Sequence, residues 1–140
     1  MTRRRINMVL HWSVVLLVLA MMKGSAGDPI IRWALVTAGA VWTVIAIVKG
    51  PLARPGPKLG DGLKRAYRPA HIGLYGILAL TIAAQAAALL GYTDQLLAWY
   101  ALLILFGAGM FHALFQLWRH TALYDGALRT ITPRIWHKHL

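Results

Sequence analysis

The chain contains no cysteine, which excludes disulfides, iron–sulfur clusters and thiolate metal sites. Acid is scarce: four Asp and Glu stand against fifteen Lys and Arg, a formal net charge of +11. No acid falls inside any of the long apolar runs. A proton-coupled four-helix exporter needs an intramembrane carboxylate to exchange protons, so that class is excluded. The sequence also lacks a Ser/His/Asp arrangement, a glycine-rich phosphate loop and a suitable carboxylate pair. Hydrolytic and phosphoryl-transfer chemistry therefore has no visible residues. No internal repeat or low-complexity segment occurs. No cleavable signal peptide is evident either: the first apolar run leads into MMKGSAGD and reads as a retained helix.

Apolar surface is what the chain has in abundance. Of its 140 residues 59% are hydrophobic, and the mean hydropathy is +0.58; about 45–50% apolar is usual for a soluble domain. Four runs, 6–22, 30–48, 70–92 and 96–118, carry this surface. A membrane-spanning helix needs roughly 17–25 such residues. Asp28 and Pro29 suit the start of the second helix. The stretch 49–69 holds four prolines and four glycines, which exclude a regular helix over most of its length. Trp99, Tyr100 and Trp118 stand near the ends of the fourth run, where aromatics favour the membrane interface.

A basic balance often signals nucleic acid, but here the positive residues lie between apolar runs, which points to membrane topology and to no nucleic-acid partner. The N-terminus, the 49–69 loop and the tail hold three, six and four Lys or Arg, and only Lys23 and Arg32 flank the first link. Arg32 is expected to snorkel to the interface. By the positive-inside rule the expected fold is all-α: a single four-helix up-down transmembrane bundle over 1–140, embedded in the lipid bilayer with both termini cytoplasmic and a cytoplasmic tail at 119–140.

Polar residues inside apolar spans are costly and are functional candidates. His11 lies six residues after Arg5, and His112 seven before Arg119. At about 1.5 Å per residue, both sit roughly 9–11 Å inside a basic boundary. Two imidazoles at one depth, facing each other in a bundle, are what a six-coordinate haem iron needs. The plainer reading of His11 is a neutral ring bonded to a carbonyl of the next helix. Gly107-Ala108-Gly109 lets a neighbouring backbone or a flat ring approach His112. His71, three residues after Arg68, suits a haem propionate, a quinone carbonyl, an alternative ligand position or an ordinary interfacial histidine. His120 stands beside Arg119 at the interface. Arg3, Arg4, Arg5, Arg68 and Arg119 lie at the level of propionates, although the same arginines would mark a cytoplasmic face without haem. His137 and His139 form a weak H-x-H pair that reads as a solvated end.

Three places carry a resemblance. They are His11-Trp12 after the basic start, Ala70-His71-Ile72-Gly73-Leu74-Tyr75, and residues 112–120 followed by Asp125-Gly126-Ala127-Leu128-Arg129 and Thr132-Pro133. In these the chain resembles the bacterial cytochrome b561 family, four-helix b-type cytochromes that include superoxide:ubiquinone oxidoreductase. That family is related to the cytochrome b subunits of formate dehydrogenases and nickel–iron hydrogenases. The resemblance implies His11 and His112 as axial ligands of a cytoplasmic-side haem b in a bacterial inner membrane. The family's outer haem takes a histidine from the second helix and one early in the fourth. Here no histidine occurs between His11 and His71, the fourth-helix position is Ala98, and the outer loop is cut to 91–95. One haem is implied, and the surface for superoxide is largely missing.

Two readings follow. In the first, the chain is a mono-haem electron carrier, an electron-transfer protein or oxidoreductase subunit passing electrons between quinone, such as ubiquinone, and a partner in a larger membrane redox complex. Its cofactor site would draw on His11, His112, His71, Arg68, Arg119 and His120, with iron on His11 and His112. In the second, the chain is an accessory or structural subunit, with or without haem, of a larger respiratory or photosynthetic membrane complex.

Overall fold

A computed structural model describes residues 2–52 and 54–132. Four long helices make up the bundle: α1 (Arg3–Met22), α2 (Pro29–Lys49), α3 (Asp61–Leu89) and α4 (Gln95–Ala122). Single 3₁₀ turns at Ser25–Gly27 and Ala127–Thr130 complete the secondary structure, and no strand occurs among the described residues. All four helices are long and apolar enough to cross a membrane, so the chain is a multi-pass, all-α membrane protein.

Helix length explains what protrudes. α1 and α2, with 20 and 21 residues, match a hydrocarbon core about 30 Å thick. α3 and α4, with 29 and 28 residues, are about 12 Å longer. The excess of α3 is its charged first turns, Asp61 to Arg68, and that of α4 carries Arg119 and His120. The 49–69 stretch is thus irregular only as far as Gly60. Helix resumes at Asp61, an acid in the first turn that favours the positive helix end. Pro69 then lies inside α3, where it removes one backbone donor and favours a bend.

The ends are closed by identifiable devices. Asp28 caps α2 by accepting from the Ile30 and Ile31 amides, with Pro29 at the first helical position. Asp94 caps α4 by accepting from the Leu97 amide at 2.8 Å. Between α3 and α4, Gly91 takes φ +79°. The Tyr92 amide then reaches the Ala87 carbonyl at 2.9 Å and the Gly91 amide that of Ala88 at 3.3 Å, a left-handed stop that reverses the chain in a few residues.

Each helix buries a narrow stripe at helical spacing: Val14, Val18 and Met21 on α1, Arg32, Leu35 and Gly39 on α2, Leu78, Thr81, Gln85 and Ala88 on α3, and Ala98, Leu102 and Leu105 on α4. Leu16, Ile47, Leu80 and Phe111 are among the many large apolar side chains left outside. In water that surface would be a liability; in a bilayer it is the lipid face. α2 and α3 approach closely at Gly39, where an added Cβ would lie 2.7 Å from Ile82 Cγ2 and 3.3 Å from Leu78 Cδ1. Gly39→Ala is expected to cost about 1–3 kcal/mol through overpacking, measured by equilibrium unfolding of the two proteins in mixed micelles. An unchanged midpoint would mean that α2 and α3 are not held at this separation.

Candidate functional site

The polar side chains gather at the two ends of the bundle. The end bearing both the N-terminus and the α4–tail junction is tied together by arginines. Arg3 donates to the carbonyls of Lys49, at 2.8 Å, and Gly50, closing the C-terminus of α2. Arg4 donates to the Arg129 carbonyl at 2.6 Å and to that of Thr132 at 3.2 Å. Trp12 Nε1 donates to the Ile131 carbonyl at 2.9 Å. Residues up to 132 are therefore folded back onto α1 rather than trailing from α4. Pro133, His137 and His139 lie outside the described residues.

Beneath this cap is a buried ion pair. Arg119 Nη2 lies 2.7 Å from Asp125 Oδ2, with the two side chains 3% and 0% exposed. Arg119 Nε donates to the same oxygen at 2.8 Å, and Nη1 donates to Tyr67 Oη at 2.7 Å and Gln116 Oε1 at 3.0 Å. The guanidinium also lies over the Tyr67 ring, 4.9 Å from its centroid. The remaining Asp125 oxygen accepts from the Ala127 amide. Gly56 closes the site from the 50–60 loop: a Cβ there would lie 2.6 Å from Arg119 Nη2 and 2.9 Å from Asp125 Cγ. Arg119 thus directs four of its five N–H donors into its own chain, while Arg5 and Arg68 are exposed.

The histidines sit just inside this layer. His71 Nδ1 donates to the Tyr67 carbonyl at 2.8 Å, and its ring is 4.3 Å from the Tyr67 ring. The His112 ring meets His71 edge-on, with centroids 5.0 Å apart and planes at 84°. The His11 ring is edge-on to Trp12 at 5.5 Å and to Trp42 at 5.6 Å, both at 86°. Nδ1 of His11 and of His120 are buried without a hydrogen-bond partner among the described residues.

These positions correct the haem expectation. No group of three or more His, Cys, Asp or Glu gathers to hold a metal ion among the described residues. Matched depth fixes height along a helix but not direction around it, and His112 meets the His71 ring. The cavity beside His71 and Arg119 is about 70 Å³, far below the roughly 300–1,000 Å³ of a cofactor site. The finding overturns the mono-haem electron carrier, haem b with iron on His11 and His112, and ubiquinone as its redox partner. The cytochrome b561 resemblance holds at the level of a four-helix membrane bundle.

At the opposite end lies an arrangement the sequence reading missed. Arg32 does not snorkel: it is 3% exposed. Its Nε donates to Gln85 Oε1 at 2.7 Å, Nη1 to Gln95 Oε1, and Nη2 to the Gln85 carbonyl at 3.4 Å. Gln85 Nε2 in turn donates to the Ala98 carbonyl at 3.0 Å. All the acceptors are neutral. A cavity of about 410 Å³ opens beside them, lined by Met21, Ala26, Gly27, Trp99 and Leu102 as well as the polar groups. The available signal was Gln85 itself, a polar residue seven positions after Leu78 on the buried stripe of α3.

No known family, curated protein or solved structure matches the chain.

Proposed function

We propose that the chain is an accessory, structural subunit of a larger membrane complex. The observation that carries this reading is the set of outward-facing glycines on the membrane helices. Gly73 and Gly76 on α3 and Gly107 and Gly109 on α4 are exposed, and a Cβ added at any of them would meet nothing within 4 Å. Glycine inside a helix costs about 0.5–1 kcal/mol relative to alanine. In a bilayer that cost is offset where another helix packs close against the backbone. Among the described residues no helix does so at these four positions. Gly107 and Gly109, read from sequence as an approach to His112, are better explained by a neighbour outside the bundle.

Gly73 and Gly76 stand about 60° apart on one side of α3, the geometry for a single crossing helix. The positive-inside rule puts the basic end, with the three N-terminal arginines and the 49–69 loop, on the cytoplasmic face. The arginine-tied cap would then give a partner a rigid cytoplasmic surface, with Arg5 and Arg68 exposed on it.

Membranes solubilised in mild detergent test this reading. The chain is expected to purify in fixed ratio with larger subunits. Gly73→Leu with Gly76→Leu is expected to abolish that association while leaving the unfolding midpoint of the isolated chain unchanged. A chain recovered only as a stable lone species would sink the proposal.

A further inference from the structure

We propose that Arg32 and the cavity beside it bind an amphipathic anion: a carboxylate or phosphate head on an apolar body. Arginine carries five N–H donors. The three bonds of Arg32 leave one N–H on each terminal nitrogen, and the Nη2 bond, at 3.4 Å, is long. The guanidinium is held in place beforehand. The amide nitrogen of Gln85 is tied to the Ala98 carbonyl and that of Gln95 to the Ala88 carbonyl, so both amide oxygens are fixed toward Arg32. A site ordered before its ligand arrives loses less on binding.

Among the described residues the charge has no counter-ion: the two ion pairs there are Lys64–Asp61 and Arg119–Asp125. Asp28, four residues before Arg32, and Asp94, next to Gln95, are exposed and accept from the amides that start α2 and α4. The start of α2 lies three residues before Arg32, and that of α4 is Gln95, which accepts from Arg32, so both add positive dipole ends to the same region. A neutral side chain would fill this position without the burden of an unpaired buried charge. A guanidinium here is explained by an anion, which it recognises through paired N–H donors.

The cavity fixes the other half of the ligand. Its volume, about 410 Å³, exceeds the needs of a bare inorganic ion, and Met21, Trp99 and Leu102 give it apolar walls. Exposed Gly27 and Gln95 form its rim. Such a ligand arrives from the bilayer as an anionic phospholipid head or from water as a fatty carboxylate.

The test uses the full chain in phosphatidylcholine nanodiscs, read by thermal unfolding and by native mass spectrometry. One arm adds phosphatidylglycerol to the bilayer, a second adds octanoate from water, and a third adds octyl glucoside as a neutral amphiphile. Either anion is expected to stabilise the wild type, and Arg32→Gln is expected to weaken its binding at least about tenfold. A response to phosphatidylglycerol alone assigns the lipid source, and a response to octanoate alone the aqueous one. A Cβ at Gly27 meets nothing within 4 Å, so Gly27→Glu can place a carboxylate at the rim. That variant is expected to be more stable without ligand and to lose the response to both anions, which decides the matter even where Arg32→Gln fails to fold. The proposal is overturned if neither anion binds, if octyl glucoside stabilises as well as they do, if Arg32→Gln responds like the wild type, or if Gly27→Glu keeps the full response.

Discussion

Replacing Arg119 with methionine is expected to destabilise the bundle by about 3–5 kcal/mol, the range for breaking a buried ion pair from one side. The reason lies in what is left behind. The Asp125 side chain is fully enclosed and would keep only the bond from the Ala127 amide. Tyr67 Oη would lose its 2.7 Å donor and retain the longer contact from Gln116 Nε2 at 3.3 Å. The tie between α3, α4 and the folded-back segment would go with them. The partner variant separates charge from packing. Arg119→Met combined with Asp125→Leu removes both charges and is expected to recover most of the loss, because an apolar pair of similar volume often replaces a buried ion pair without penalty. Unfolding in mixed micelles measures both, and trypsin cleavage after Arg129 should quicken in the single variant only. A single-variant cost below about 1 kcal/mol, the range of exposed pairs, would mean that water reaches this site.

Much of the architecture was legible because it depends on composition over long windows. Four apolar runs separated by short or basic links give four spanning helices by length alone. The start of α3 was not legible in the same way. The glycines and prolines of 49–69 read as one block, yet most cluster before Asp61, and Gly62 and Pro69 sit inside a helix. The polar sites failed for a different reason. A run of sequence tells how deep a residue lies, but its direction depends on which neighbours the helix packs against. Arg32, three residues into α2 from Pro29, reads as interfacial by depth and is buried by direction. His11 and His112 share a depth and yet turn to Trp42 and His71. Arg119 and Asp125 are six residues apart, and their pairing requires the chain to reverse after α4, where Tyr124 takes φ +52° and Gly126 φ +69°. No periodicity announces that turn.

Gln85→Leu, at the other end, is expected to match the cost of Arg119→Met, about 3–5 kcal/mol, although the residue removed carries no charge. Gln85 gives Arg32 its shortest fully buried acceptor, Oε1 at 2.7 Å, and bridges α3 to α4 through the Ala98 carbonyl. Leucine is close in volume and suits the apolar stripe, so packing alone argues for a neutral or favourable change. The opposing term is the guanidinium left with Gln95 and a backbone carbonyl at 3.4 Å. Arg32→Met is milder, since it removes the charge and strands one buried amide oxygen, that of Gln85, at about 1–3 kcal/mol, while exposed Gln95 can turn to water. The order therefore reverses simple additivity. Adding Arg32→Met to Gln85→Leu is expected to restore stability, because the second change removes the group that the first left unpaired. If the double variant is instead less stable than Gln85→Leu, Arg32 draws its support from elsewhere, and the glutamine pair is not what holds an unpaired cation inside this bundle.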